Sequence, residues 1–349
     1  MIAPGSIRGR APWRDDEPLE CVRVIVEAPD VATFVMRAPS GAWFDHRPGQ
    51  FLTLEIPLPG GVAHRTYTIS SPPSRPLCLS VTVKAQPDSL GGRWLLDNLR
   101  PGMRLRAKGP AGAFTLDAAR REKLLMIAAG SGVTPMMAMA AHVWDAGEDP
   151  DIVLIVTARR PEDLIFRSVL EHMAARAPGL KLHFAVSNPD DAWSGYRGRL
   201  TPAMLDLMAP DMTERAIYCC GPEGFMRAAR DMAALRGFDM THWHEESFGA
   251  PAAADQADMA EGGGAEIAFT RSGVVAPCAE DQTVLAAARS AGLNIPSGCT
   301  IGLCGTCRVL KTEGAVAMAH QGGLSHDDEA EGWILACCAR PLGRIVVDL

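Results

Sequence analysis

Pro296-Ser-Gly-Cys299-Thr-Ile-Gly-Leu-Cys304-Gly-Thr-Cys307 is the stretch that decides the C-terminal fold, and Cys337 follows it thirty residues later. Three of the ten cysteines of the chain thus fall within nine residues. In a reducing compartment such clustering indicates metal or redox chemistry rather than a disulfide framework. Gly298, Gly302 and Gly305 lack the Cβ atoms that would prevent a loop from wrapping closely around a bound group.

The spacing of the four cysteines is Cys-x4-Cys-x2-Cys, with 29 residues before the last one. This is the plant-type 2Fe–2S spacing, which predicts a cluster with a potential near about −400 mV. Alternatives are a cluster of buried thiols or a zinc site, although zinc sites usually carry two Cys-x2-Cys pairs. Cys338 is expected to point the opposite way on a strand and to serve packing. The predicted cluster ligands are Cys299, Cys304, Cys307 and Cys337.

Residues 18–118 have the pattern of a β-domain. Short runs rich in β-branched residues, such as Cys21–Val26, Phe51–Ile56 and Leu79–Val83, are separated by Pro and Gly. Strands at this spacing predict an antiparallel β-barrel or a sandwich. A short helix is expected at about Gly92–Leu99.

Residues 119–248 change to an alternation of strands and helices. Leu124–Ala129 and Ile152–Thr157 are apolar on both faces, as strands of a parallel α/β sheet are. Gly130-Ser-Gly-Val-Thr-Pro135 follows the first of them and opens a helix, where the helix dipole favours a phosphate. The glycines also explain why Leu124–Trp144, although almost free of charge, is not expected to span a membrane.

Two further segments complete the chain. Residues 249–264 are rich in Ala and Gly and contain almost no bulky apolar residue, which is typical of a flexible linker. Residues 265–349 are expected to form a separate small domain around the cysteine loop. The formal net charge of −7 and the absence of a basic block exclude nucleic acid as an expected partner. We expect a cytoplasmic protein that has no membrane segment.

Taken together, these motifs resemble the ferredoxin–NADP reductase superfamily, with a plant-type 2Fe–2S ferredoxin domain at the C-terminus. Arg65-Thr-Tyr-Thr68 resembles its flavin motif, and Tyr218–Met226 resembles its Cys-Gly-Pro segment. The order flavin, nicotinamide, ferredoxin is similar to that in the reductases of hybrid-cluster protein and of glycine-betaine-type demethylases. The resemblance implies a multidomain fold: an antiparallel flavin β-barrel, an α/β parallel-sheet nucleotide domain and a β-grasp ferredoxin domain.

The resemblance also implies a flavin site. Arg65 suits a phosphate, Tyr67 suits stacking on the flavin ring, and Thr68 would lie at its reactive edge. FAD is expected rather than FMN, which related enzymes also bind through this motif. The flavin-binding residues implied in this way are Arg65, Tyr67, Thr68, Ile69, Ser70, Lys84, Gly91, Gly92, Arg93, Trp94 and Phe248.

A nicotinamide site is implied by the same resemblance. Cys220 would lie near the nicotinamide ring, and Thr68, Cys220 and Glu246 are the expected catalytic residues. Arg159 follows the second parallel strand, where an arginine would hold a 2′-phosphate, yet NADH is expected over NADPH. The residues implied to bind the nucleotide are Gly130, Ser131, Gly132, Thr134, Pro135, Arg159, Cys220, Gly221 and Pro222.

Electron counting then predicts the function. NAD(P)H gives two electrons together, and an iron–sulfur centre accepts one at a time, so a flavin between them is required. We expect an NAD(P)H:acceptor oxidoreductase that passes electrons to a partner protein. The expected partner is a Rieske-type oxygenase, with hybrid-cluster protein as the alternative. A stand-alone diaphorase or flavin reductase and a non-enzymatic redox sensor are the other possibilities.

Overall fold

The computed structural model describes residues 9–86, 89–116, 123–147, 151–248, 265–279, 282–297, 300, 302, 304–320 and 323–349. The predicted linker, residues 249–264, and the predicted cluster ligand Cys299 lie outside these ranges. Within them, no helix has both the length and the apolar character that crossing a membrane requires.

The first third of the chain is built from seven strands and one helix. These are β1 (Leu19–Ala28), β2 (Val31–Arg37), β3 (Phe51–Leu58), β4 (Gly61–Thr68), β5 (Leu79–Lys84), α1 (Leu90–Asn98), β6 (Arg104–Leu105) and β7 (Ala107–Ala111). They form a four-stranded sheet in the order β5-β2-β1-β6 and a three-stranded sheet in the order β4-β3-β7. The pairs β1–β2, β1–β6 and β2–β5 are antiparallel, as predicted.

The middle third is a parallel sheet covered by helices on both faces. Its elements are β8 (Leu124–Ala129), α2 (Val133–Ala146), β9 (Ile152–Ala158), α3 (Arg167–Arg176), β10 (Leu180–Val186), β11 (Tyr196–Arg197), α4 (Pro202–Met208), β12 (Ala216–Cys220), α5 (Glu223–Ala234) and β13 (Trp243–Glu246). The strand order is β11-β10-β9-β8-β12-β13, and every pair is parallel. Separate buried clusters occupy the two faces of the sheet.

The C-terminal residues form a smaller mixed fold. Its elements are β14 (Ala265–Phe269), β15 (Val274–Cys278), α6 (Val284–Ser290), β16 (Arg308–Glu313), β17 (Val316–Met318), α7 (His326–Ala330), β18 (Trp333–Leu335), β19 (Ala339–Pro341) and β20 (Ile345–Val347). One sheet has the order β15-β14-β20-β16-β18, and β17 pairs with β19. β14 and β20 are parallel, whereas the other pairs are antiparallel. Its own buried cluster includes Cys307 and Cys337.

The chain divides into two compact units. One comprises the residues before Thr53 together with Tyr67–Phe248, and the other comprises Thr53–Thr66 together with the described residues from Ala265 onward. Most of the predicted flavin-binding domain therefore belongs to the same compact unit as the predicted nucleotide-binding domain. The boundary predicted between those two domains, at residues 118 and 119, stays a prediction.

Helix α2 packs tightly against the β-structure within the first unit. Ser74 donates to Asp145 of α2 at 2.6 Å, and Arg75 binds both carboxylate oxygens of Asp145 at 2.8 Å. A Cβ atom added to Gly49 would lie 2.8 Å from the methyl group of Met139. These contacts hold α2 in a defined position against the segments around Gly49 and Ser74.

Candidate functional site

A turn at the carboxyl end of β8 forms the centre of the candidate nucleotide site. Gly130–Gly132 make a single 3₁₀ turn that leads into α2. A Cβ atom added to Gly132 would lie 2.1 Å from the carbonyl oxygen of Cys220 and 2.8 Å from the amide nitrogen of Gly221. Only glycine permits this approach. The turn and the Cys-Gly-Pro segment thus meet at the carboxyl ends of neighbouring parallel strands, where α/β sheets bind ligands.

Thr134 and Pro135, which follow the turn, stabilise its conformation. Thr134 is buried, and its hydroxyl donates to the carbonyl of Ser131 at 2.9 Å. Pro135 lies in the first turn of α2, as its restricted φ allows. The ammonium of Lys84 is the atom nearest to a Cβ atom added to Gly130, at 3.8 Å. Lys84, predicted as a flavin ligand, therefore lies beside the nucleotide turn.

Cys220 and Glu246 lie side by side at the ends of β12 and β13, where they are partners in the parallel register. Cys220 is fully buried. The Oε2 atom of Glu246 is also buried and has no hydrogen-bond partner among the described residues. Burial raises the pKa of Glu246 to about 8, and burial together with the charge of Glu246 raises the pKa of Cys220. Near neutral pH both groups are therefore kept protonated.

Two arginines follow β9, and their contacts differ. Arg160 forms ion pairs with Glu162 at 3.3 Å and with Asp163 at 3.5 Å. Arg159 is exposed and makes no ion pair with a described residue. Of the two, Arg159 is thus the one that remains available for a nucleotide.

The flavin motif ends β4 and continues into the buried residues after it. Thr68, Ile69 and Ser70 are each at most 5% exposed, and Tyr67 is half-buried. The backbone amide of Ile69 donates to Gln50 and that of Ser70 to Ser80, both at 2.8 Å. Ile69 therefore offers neither side-chain surface nor a vacant amide to a ligand. Its predicted contact with the flavin stays a prediction.

Arg65 and Lys84 are predicted flavin ligands whose charge is not neutralised by described residues. Arg65 is exposed, and its guanidinium donates to the carbonyl of His64 at 2.8 Å without an ion pair. Lys84 ends β5 and likewise makes no ion pair within the described ranges. Cations in this state suit a phosphate, because binding it does not require an existing pair to break.

At the start of helix α1, Gly92 and Arg93 both have partners within the protein. The amide of Gly92 is capped by the hydroxyl of Ser89, a residue that the sequence analysis missed although Ser is a preferred N-cap. Arg93 binds both carboxylate oxygens of Asp97 and also Asp30, at 2.7–2.8 Å. Its charge is paired within the protein, and its predicted contact with the flavin phosphate stays a prediction. Gly91 is buried in the same first turn.

Two aromatic residues complete the predicted flavin set. Trp94 lies half-buried on α1, next to the first turn of that helix. Phe248 follows β13 and is 45% exposed, which is high for a large apolar side chain. That exposure agrees with a ring that a bound flavin would cover, and the contact itself stays a prediction.

The cysteine loop brings together the ligands that the structure describes. Cys337 raises the pKa of the Cys307 thiol, and the thiol of Cys304 donates to the hydroxyl of Thr306 at 3.1 Å. Cys307 and Cys337 are buried, whereas Cys304 is half-buried. Among the described residues no three His, Cys, Asp or Glu side chains form a metal-binding group, and Cys299 is not among them.

Cys338 lies against the cluster loop, which corrects the expectation of a strand. Residues 336–338 form a turn between β18 and β19, so alternation along a strand does not govern their side chains. A Cβ atom added to Gly302 would lie 2.8 Å from the Sγ atom of Cys338 and 2.9 Å from the Cα atom of His320. Cys338 packs as predicted, yet it packs beneath the loop that carries the predicted ligands.

Three family models match the chain in succession. An oxidoreductase FAD-binding domain matches residues 19–116, an oxidoreductase NAD-binding domain matches 126–231, and a 2Fe-2S iron-sulfur cluster binding domain matches 267–342. The stachydrine N-demethylase reductase subunit Stc4 of Rhizobium meliloti (strain 1021) is 54% identical over 343 residues, which cover 96% of this chain and 97% of that protein.

The chain belongs to this family of FAD-, NAD- and 2Fe–2S-binding reductases. The glycine betaine monooxygenase reductase subunit of Chromohalobacter salexigens is a further member, 42% identical over 95% of this chain and 94% of its own length. The solved structure of phthalate dioxygenase reductase has the same fold, with a TM-score of 0.61 and 24% identity over 97% of this chain and 100% of that one. The resemblance predicted from the motifs and the three predicted cofactors are thereby confirmed.

The residues present fit the cofactors of this family. The buried, partnerless Oε2 atom of Glu246 suits a polar group of a bound ligand, since such an atom is costly when unsatisfied. Unpaired Lys84 and the helix start at Gly91 suit the phosphates. Four cysteines with glycines at the required positions suit the ligand set of a 2Fe–2S cluster.

Proposed function

We propose that this protein is the reductase component of an oxygenase or demethylase system, and that it supplies the terminal oxygenase with single electrons taken from NADH. The observation that carries the proposal is the 54% identity with a demethylase reductase subunit over nearly the full length of both chains. The relatives named glycine betaine monooxygenase reductase subunit support the same class of partner.

When bound, FAD and the 2Fe–2S cluster together supply the conversion of a two-electron hydride donor into single electrons. In the proposal, Gly130, Ser131 and Gly132 hold the nucleotide pyrophosphate, with the ammonium of Lys84 beside them. Cys220 and Glu246 line the nicotinamide end. Arg159 would contact the adenosine ribose, and Gly221 and Pro222 would line the path between these ends.

The electrostatics of the Cys220–Glu246 pair support its proposed place in the reaction. Both groups are neutral near pH 7 because burial raises their pKa values. A protonated Glu246 is able to donate a hydrogen bond to an amide carbonyl without placing a negative charge beside the reacting ring. The hydroxyl of Thr68 is proposed to orient the flavin edge, with Tyr67 and Phe248 stacking on the ring and Arg65 on its phosphate.

The same proposal includes the finer organisation of the fold. The two sheets of the first third would close into a flavin barrel of residues 18–118, followed by a nucleotide domain of residues 119–248. Residues 265–349 would form a β-grasp ferredoxin domain beyond the linker of residues 249–264. A cytoplasmic location is proposed as well, since thiolate ligands need a reducing compartment.

Replacing one cluster ligand tests the proposed electron path. With NADH, Cys304→Ser is expected to lose reduction of cytochrome c while it keeps reduction of a small dye, because only the former requires electrons to leave through the cluster. Cys78→Ser is the matched control, since Cys78 is half-buried and lies far from the loop in sequence. Equal loss of both activities, or no loss of either, would contradict the path and favour a diaphorase that does not use its cluster.

Identification of the partner requires a separate experiment. The purified protein, NADH and a candidate terminal oxygenase are combined, and oxidation of glycine betaine or stachydrine is measured. Turnover that needs both proteins supports the proposal. Reduction of dyes together with failure to support any demethylase or monooxygenase of this kind would overturn the assignment of the partner while leaving the electron path intact.

A further inference from the structure

A continuous row of side-chain hydroxyls crosses the first unit and ends at the flavin motif. Thr33 donates to the carboxylate of Glu27 at 2.7 Å, the hydroxyls of Thr33 and Thr82 lie 2.8 Å apart, and those of Thr82 and Ser70 are also 2.8 Å apart. Thr33, Thr82 and Ser70 are each 5% exposed. Three side chains on different strands and Ser70, just after β4, are thus joined by three short hydrogen bonds, in which the hydroxyls are buried and Glu27 is half-buried.

The strand geometry explains why these four side chains meet. Thr33 on β2 and Thr82 on β5 are direct partners in the antiparallel register, so their hydroxyls are neighbours on one face. In the register of β1 with β2, Val26 pairs with Ala32 and Ala28 pairs with Val31, which leaves Glu27 as the extra residue of a bulge. Bulges redirect side chains, and this one gives Glu27 its contact with Thr33.

Each hydroxyl has a single proton, so the three hydroxyls of the row can all donate in one direction or all in the other. When Glu27 is ionised it only accepts, and the donors must run from Ser70 to Thr82 to Thr33 to Glu27. When Glu27 is protonated, its O–H is able to donate to Thr33, and the hydroxyls then run in the reverse direction. Ser70 then donates to the carbonyl of Ser80, which lies 3.3 Å away. Protonation of Glu27 therefore changes the number of lone pairs that Ser70 offers to another donor.

We propose that Glu27, Thr33, Thr82 and Ser70 form a proton-responsive relay through which the charge state of Glu27 sets the hydrogen-bonding direction of Ser70, and hence the reduction potential of the bound flavin. This inference rests on the proposed function, since it requires flavin at the motif. No electron moves within the relay. One proton from water forms the O–H bond of the Glu27 carboxyl, and three hydroxyls rotate with their own O–H bonds intact.

The environment of Glu27 shifts its protonation toward the neutral acid. Burial raises its pKa, and the hydrogen bond from Thr33 opposes this rise. The charged groups on the elements around it are Glu20 and Arg23 on β1, Arg37 on β2, Lys84 on β5, and Asp30 in the β1–β2 turn. Glu20 is paired with Arg37 and Arg104, and Asp30 with Arg93.

The test is a titration of the flavin midpoint potential against pH in the full-length protein. The wild type is expected to show a bend at the pKa of Glu27, and Glu27→Gln is expected to remove it. Thr82→Val should also remove the bend, because it interrupts the row while Glu27 remains. Thr82→Ser, which keeps a hydroxyl, should restore it. Glu20→Gln is the matched control on the same strand and should leave the bend unchanged.

Each outcome decides one of the two ideas. Bound flavin with a straight wild-type curve, or a bend that survives Thr82→Val, overturns the relay and leaves the proposed function standing. Absence of bound flavin in the wild type overturns both. Difference infrared spectroscopy of the carboxyl stretch provides a second readout that needs no activity. The apparent pKa of Glu27 should shift in Thr82→Val and remain in place in Thr82→Ser, and an equal pKa in both variants would contradict the relay.

Discussion

The nucleotide turn and the cluster loop both depend on glycine, but for different physical reasons. Gly132 has an ordinary helical φ of −61°, and it must be glycine because the carbonyl of Cys220, on another strand, takes the place of a Cβ atom. Gly302 has a φ of +74° and also lies against Cys338 and His320. Gly132 is required by a tertiary contact alone, whereas Gly302 is required both by a tertiary contact and by the positive φ of its loop. The comparison shows why one loop is recognisable from spacing alone and the other needs its partner segment.

The largest effect is expected from Gly132→Ala. The added methyl group would lie 2.1 Å from the carbonyl oxygen of Cys220, so the turn and the Cys-Gly-Pro segment must separate. Overpacking of this kind costs about 1–3 kcal/mol of stability, and here it also opens the candidate pyrophosphate site. NADH binding, measured by fluorescence titration, should be lost while FAD stays bound.

The control for this variant is Gly224→Ala at the start of α5. Gly224 has no heavy atom within 4 Å of an added Cβ atom. Its substitution should therefore leave both stability and NADH binding unchanged. Normal NADH affinity in Gly132→Ala would show that the close contact is not what shapes the site.

A smaller effect is expected from Gly302→Ala, and it sharpens the comparison. Alanine in the left-handed region costs about 1–2 kcal/mol, and the contact with Cys338 adds an overpacking cost. Gly292 has a similar φ of +77° but open space around it. Gly292→Ala therefore measures the cost of the backbone conformation without any overpacking. We expect lower iron and sulfide content in Gly302→Ala and full content in Gly292→Ala. Equal content in the two variants would mean that packing beneath the loop does not matter.

The smallest expected effect is a pH dependence that arises from Glu246. Its pKa rises from 4.5 to about 8 on folding, so between these values the folded protein binds more protons than the unfolded chain. The free energy of unfolding of the apoprotein should therefore fall as pH increases across this window. Glu246→Gln should flatten this slope, and Glu223→Gln, an exposed residue of α5, should not. Parallel denaturation curves for the wild type and Glu246→Gln at each pH would refute the assignment.

The features that could be predicted from the sequence are those whose interacting residues lie close together along the chain. The cysteine spacing, the glycine turn and the alternation of strands and helices are local, and each predicted its element. The ion pairs of Arg93 could not be predicted, because one of its carboxylate partners, Asp30, lies 63 residues away. The position of Cys338 was not predicted because Cys338 lies in a turn between β18 and β19 rather than on a strand.

Contacts that depend on the pairing of strands could not be predicted from the sequence. The contact between Thr33 and Thr82 requires the register of β2 with β5, which separates these residues by 49 positions. The bulge at Glu27 is likewise a property of paired strands rather than of one strand. Ser89 is different, because a Ser immediately before a helix was a readable signal.

The ion pairs of Arg93 have a consequence for cofactor exchange. Because Arg93 ties the first turn of α1 to Asp30 in the β1–β2 turn, and Ser89 caps the same helix, that helix end is held by protein groups alone. A site that is already ordered loses little entropy when its ligand arrives. With FAD at this helix, as proposed, protein stripped of FAD should regain it without refolding the helix, which favours rapid reconstitution from the empty form.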